Sequence, residues 1–170
     1  SSVSTQVTIF VELMKIVFLV IGKTSERFIS DGMSIFESRL RHYGKYETLV
    51  VSDVKGGAKM SSDALKIEEG RAFKKYLLPG DRLILLDEKG KQYSSLDFAG
   101  QVQKWMNSGP KRLVFVVGGA FGFSAEMHGI AEGKLSLSSM TTSHQLVRVL
   151  FLEQLYRAFT ILNNEPYHND

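Results

Sequence analysis

The sequence predicts an α/β fold, a mostly parallel sheet flanked by helices, and two observations predict it. Residues 15–22 (KIVFLVIG), 82–87 (RLILLD) and 112–117 (RLVFVV) are apolar without alternation. Strands of that kind are buried on both faces, as in parallel sheets. Segments with helical spacing separate them throughout, and strands alternating with helices make parallel crossover units. At 170 residues one domain is expected, over 14–170.

Residues 1–13, SSVSTQVTIFVEL, differ in character from the rest of the chain. They lack a basic start and a small-residue cleavage site, so they do not read as a signal peptide. A tag remnant or upstream extension is expected there, with the fold starting at Met14. After the first strand, residues 25–43 carry Phe28, Ile29, Met33, Ile35, Phe36 and Leu40 at helical period, with Ser25 as a candidate N-cap and Arg27, Arg39 and Arg41 outside. A second strand is expected over 46–54, and KGGAKMSS at 55–62 reads as a flexible basic loop. Ser62 then caps a helix over 63–78 that Pro79-Gly80 ends. The strand at 82–87 is followed by a polar loop over 88–93. A helix starting at Ser95 or Asp97 runs past Trp105 and Met106 to Gly109-Pro110.

After the strand at 112–117 comes a glycine turn, Gly118-Gly119-Ala120-Phe121-Gly122, and a short helix capped by Ser124. Residues 135–138 (LSLS) alternate as a last strand, followed by the hydroxyl-rich turn SMTTSH and a long helix. Leu146, Val149, Leu150, Leu155, Phe159 and Leu162 give that helix an apolar face, but Val147, Phe151, Leu152 and Ile161 extend it nearly all round. A helix apolar on most faces is buried on most faces. In a chain this small, a core face plus an intersubunit face is expected.

The absence of cysteine excludes disulfides and Cys-based zinc sites and suits a cytoplasmic protein. No apolar run reaches the roughly 20 residues of a membrane span. A net charge of +3 permits an RNA or phosphate partner without demanding one. No metal-ligand spacing and no Ser-His-Asp order is legible.

The glycine turn follows a strand and opens a helix, where a ligand can approach backbone. It is GGxxG rather than GxGxxG, and no Walker Lys-Ser/Thr follows. A tight turn without a ligand is an equal reading. Amides and hydroxyls over 137–142 suit an adenine edge, or simply cap the long helix. Leu86 suits cover for a flat ring, or the core. His42 and His128 read as surface residues and His144 as structural. In the tail NNEPYHND, Pro166 stiffens Tyr167-His168. Arg148 and Arg157 are candidates for phosphate, although Glu153 four residues before Arg157 favours an ion pair.

Six segments carry a family resemblance: KIVFLVIGK, LLDEKGKQYSS, FVVGGAFGFS, LSLSSMT, HQLVRVLFLEQLYRAF and the closing PYH. From Met14 to His168 the chain resembles the bacterial large-subunit ribosomal RNA pseudouridine N3-methyltransferases of the H type, in the α/β-knot (SPOUT) superfamily. The resemblance implies an α/β-knot with a C-terminal deep trefoil knot, an exception to the rule against threading. It implies a homodimer packed partly through the long helix. It implies S-adenosylmethionine (SAM) held at Leu86, Gly118, Leu137, Ser138, Ser139, Met140, Thr141 and Thr142. The implied reaction methylates N3 of a pseudouridine in 23S ribosomal RNA, in the helix 69 region of assembled ribosomes. His168 and Tyr167 are then candidates for the base or for holding the uracil edge, and Arg148 and Arg157 for RNA. Lys23, Arg27, Lys55, Lys59, Lys89 and Lys91 are possible further contacts on a surface composed from both subunits. A non-catalytic ribosome-binding factor, or a methyltransferase of another RNA such as tRNA, are the alternatives.

Overall fold

In a computed structural model, which describes residues 14–168, five parallel strands lie in the order β2-β1-β4-β3-β5. They are β1 (Lys15–Ile21), β2 (Lys45–Val51), β3 (Arg82–Gln92), β4 (Arg112–Val117) and β5 (Gly133–Ser136). The helices are α1 (Arg27–Leu40), α2 (Ser62–Lys74), α3 (Ser95–Asn107), α4 (Ala125–Ile130) and α5 (Leu146–Leu162). Residues 1–13, read as an added or upstream segment, lie outside the described residues.

Each central strand feeds two cores, because successive side chains point to opposite faces. Ile16, Phe18 and Val20 join Phe115 under α1, α3 and α5. Val17, Leu19 and Ile21 join Val114, Val116, Phe73 and Met127 under α2 and α4. Apolar residues are therefore needed at every position, which is why these strands read as unbroken runs. The centre of the first core is aromatic: Phe151 of α5 stands 4.9 Å from Phe18 and 4.8 Å from Phe115, centroid to centroid.

Several boundaries differ from expectation. Glu26, not Ser25, flanks α1, and no side chain caps it. Ser61, one residue before the expected Ser62, caps α2 by accepting from the Ala64 amide at 3.2 Å. The polar stretch 88–93 is not a loop: β3 runs to Gln92 because Lys91 and Gln92 pair with Leu135 and Ser136, after a register shift beyond Leu86. Pairing with a distant strand overrides local composition there. The last strand spans Gly133–Ser136 rather than 135–138, which releases Leu137 and Ser138 into the turn.

The core face of α5 also differs. Buried positions are Arg148, Phe151, Leu152, Leu155, Ala158, Phe159 and Thr160, a helical stripe that includes Leu155 and Phe159 of the expected set, while Val149 and Leu162 pack half-buried against the same core. Leu146 and Leu150 are 38% and 43% exposed.

Candidate functional site

The carboxyl ends of β3, β4 and β5 enclose a cavity of about 530 Å³. Open α/β sheets bind ligands beyond the carboxyl ends of their strands, and pockets of roughly 300–1,000 Å³ hold cofactor-sized molecules. Three turns build it: 86–89 beyond the first part of β3, the glycine turn after β4, and the turn from β5 to α5.

Of the eight residues expected at a cofactor, Leu86, Gly118, Leu137, Ser138, Met140, Thr141 and Thr142 line this cavity and Ser139 does not. Leu86 and Leu137 also pack on the first core, so the reading of Leu86 as a core residue holds alongside its place in the wall. The hydroxyl-rich turn is braced from within. Ser136 Oγ donates to the Ser138 carbonyl at 2.9 Å, and the Met140 amide donates to Ser138 Oγ at 3.0 Å. The Leu146 amide donates to Ser143 Oγ at 3.0 Å, so the same turn starts α5. The bond to the helix start thus comes from Ser143, just beyond the stretch 137–142 read as a ligand wall or a cap.

The glycines answer to packing from behind. A Cβ on Gly118 would stand 3.1 Å from the Phe123 ring, and one on Gly119 would overlap the Glu69 carboxylate. Gly122 has φ +84°, a conformation that favours glycine. Glu69 is buried, and its Oε1 has no hydrogen-bond partner among the described residues. Burial pushes its carboxyl above the usual range, and the nearby Asp53 adds to the rise. Nothing in the sequence singles out Glu69. His128, read as a surface residue, is also half-buried, with Nε2 3.6 Å from Asp87 Oδ2 and with Nδ1 buried and without a hydrogen-bond partner among the described residues.

The expectation of an RNA phosphate at Arg148 is corrected. Its side chain is fully buried. The guanidinium donates to the carbonyls of Ile21 at 2.7 Å and Gly22 at 2.9 Å, to Thr24 Oγ1 at 3.1 Å and to the His144 carbonyl at 3.3 Å. Gln145 adds two bonds, accepting from the Ser25 amide at 3.0 Å and donating to the Lys23 carbonyl at 3.1 Å. Together they fasten the end of β1 to the start of α5, and so support the wall of the cavity. His144, read as structural, is exposed and lines the cavity.

Tyr167 and His168 dock on the far part of α5. Arg157 bonds Glu153 at 2.6 Å, four residues before it, and Arg157 Nη1 lies 2.9 Å from His168 Nδ1. The Tyr167 hydroxyl donates to Glu153 at 3.1 Å, and its ring packs edge-on against Tyr156 at 4.8 Å. Burial raises the Tyr167 pKa, followed by the Glu153 charge. Neither tail residue lines the cavity. At ~1.5 Å per helical residue, Arg157 stands about 15 Å along α5 from Val147 at the cavity wall.

Among the described residues no group of His, Asp and Glu could hold a metal ion, and no helix is long and apolar enough to cross a membrane.

Comparisons with known proteins bear on what this cavity serves. A relative from Parabacteroides distasonis, named ribosomal RNA large subunit methyltransferase H, is 48% identical over 157 residues, covering 92% of this chain and all of that protein. Proteins of the same name from Porphyromonas gingivalis and Christiangramia forsetii are 46% and 47% identical, each covering 92% of this chain and 100% and 99% of the relative. A solved structure from Legionella pneumophila, described as a "putative methyltransferase" with its cofactor SAM bound, overlays at a TM-score of 0.40 with 16% identity, covering 89% of this chain and 66% of that one. That overlay is too loose to transfer residues. A family model described as "Predicted SPOUT methyltransferase" matches residues 14–168, the whole of the described chain. By that match, and by relatives near half identical along their full length, the chain belongs to the SPOUT methyltransferase family.

Proposed function

We propose that this chain methylates N3 of a pseudouridine in 23S ribosomal RNA, in the helix 69 region of assembled ribosomes, with SAM as donor. It would act in the cytoplasm as a homodimer. The observation that carries the reading is the cavity itself, where seven of the eight residues suggested for the donor converge. Relatives named as large-subunit ribosomal RNA methyltransferases support the substrate class.

The residues present fit SAM. Leu86, Val117 and Leu137 offer apolar cover for an adenine. The 140–142 turn offers neutral amides and hydroxyls for its edge, in a shape already fixed by Ser138. When bound, SAM supplies an electrophilic methyl on sulfonium sulfur. The family reading carries with it a deep trefoil threading of the last segment.

On the acceptor side, N3 loses its proton as the new C–N bond forms, and a positioned base assists that loss. His168, held by Arg157, takes this role, and Tyr167 steadies the uracil edge. Because both stand well away from the cavity of their own chain, they serve the cavity of a second copy. Leu146 and Leu150 on α5, with Phe28 and Ile35 on α1 at 65% and 52% exposure, give that copy an apolar surface to cover.

The test is incubation of purified protein with SAM and ribosomes lacking the modification, followed by mass mapping of the RNA. Methyl on a pseudouridine of the large-subunit RNA is expected. Methyl found only in tRNA would replace the substrate, and no heat on calorimetric titration with SAM would leave a non-catalytic binding factor.

A further inference from the structure

Two phenylalanines stand two residues apart on the glycine turn and face opposite ways. Phe123 is buried at 7% exposure, with its ring 6.3 Å from Phe73 in the second core. Phe121 is 55% exposed, lines the mouth of the cavity and makes no ring contact among the described residues. The left-handed backbone at Gly122 separates them. The neighbouring turn adds Met140, 78% exposed and lining the same cavity. Phe123 anchors the turn, so its shape does not depend on Phe121. Cavities that take small molecules are lined mainly by apolar and aromatic side chains, and Phe121 and Met140 belong to one such lining.

The ligand that fits is a nucleobase. An enzyme that modifies a base must take it out of its stack, and the lost stacking has to be replaced. An aromatic face replaces it for any base. Three charged residues line the cavity in sequence, Asp87, Glu88 and Lys89; Lys89 is the cation among them, with an exposed side chain and its own amide tied to Asp87 Oδ1 at 3.1 Å. The donor is a poorer fit for this ring, because Phe121 stands exposed at the rim while Gly118, behind it, is buried.

We propose that Phe121 is the stacking platform for the RNA base to be methylated, with Met140 covering the base from the next turn and Lys89 meeting the adjoining phosphate. This deepens the reading of the chain as an RNA methyltransferase and rests on it.

The test compares wild type with Phe121→Ala, Phe121→Leu and Phe121→Trp. Methylation of ribosomes gives kcat and KM, and calorimetry gives SAM affinity. Phe121→Ala should lower kcat/KM by about 5- to 150-fold, mostly through KM, the range that one stacked base contributes. SAM affinity should not change, Phe121→Trp should restore most of the loss, and Phe121→Leu should not. Full activity in Phe121→Leu would mean that any apolar cover suffices and overturns the platform. A parallel fall in SAM affinity, or no effect of Phe121→Ala, overturns it as well. If wild type itself leaves ribosomes unmethylated, the functional reading has failed instead. Filter binding of an RNA stem-loop by wild type and Phe121→Ala then decides the platform alone: weaker binding by the variant upholds it, equal binding overturns it.

Discussion

Arg148 is a charged side chain fully buried on carbonyl oxygens. Burial lowers its pKa from the ordinary value, and the Asp53 charge opposes the fall. Three carbonyls and one hydroxyl make a cation tolerable there, since hydrogen bonds to charged groups are stronger than neutral ones. Its position is legible from spacing, because 148 shares the helical stripe of 151, 152, 155 and 159. Residue type points outward and spacing points inward, and spacing is the better guide. Glu69 leaves no such trace: a Glu in a polar helix reads as solvated. Its raised pKa makes a testable contribution. A carboxyl whose folded pKa lies above its unfolded value binds its proton more tightly in the fold. Its neutral form is therefore tolerated below the ordinary carboxylate range, and stability is lost as pH rises through the folded value. Glu69→Gln keeps the shape of the side chain and removes its ionisation, the only part of its cost that depends on pH. Thermal melts should show the variant more stable than wild type at pH 7, with the gain vanishing in acid. A gain that persists unchanged at low pH would separate the effect from ionisation.

At the scale of elements, the strands with unbroken apolar runs are legible in the sequence, and those shaped by distant partners are not. Residues 112–117 read as a strand with the observed bounds because burial on both faces dictates every position. The polar end of β3 escapes such a reading because Lys91 and Gln92 are strand only through their pairing with Leu135 and Ser136. On the long helix, four of the six apolar residues expected on the core face lie in or against the core, Leu155 and Phe159 buried and Val149 and Leu162 packed beside them. Leu146 and Leu150, one turn apart on α5, are among those left exposed. If they meet a second copy, Leu150→Glu places a charge in that contact and should yield a monomer by sedimentation. Methylation should fall with it. The fold itself should survive, since a substitution at an exposed site shifts stability by about 0.5 kcal/mol or less. A Leu150→Glu protein that still sediments as a dimer would place the interface elsewhere.

For the molecule as a whole, the cavity proposed for the donor and the candidate base lie toward opposite parts of one helix. Sequence reasoning gathers the residues of each group but does not reveal their separation, because nothing in the spacing of 137–142 and 167–168 states where α5 carries the tail. The separation has a consequence that a site within one chain would not have. If the proposed dimer and base hold, Leu86→Lys, which puts a charge into the cavity wall, and His168→Ala, which removes the proposed base, should each be inactive alone. Mixing them through an unfolding and refolding cycle forms hybrid dimers. In a hybrid, the intact cavity belongs to the His168→Ala chain and the intact tail to the Leu86→Lys chain, so one complete site reforms. Methyl transfer should return in the mixture although neither parent has it. A site complete within each chain predicts no recovery, because every chain in the mixture carries a defect. Silence from the mixture, with hybrids verified by native mass spectrometry, would return the search for the base to groups at the cavity itself, His144 first among them.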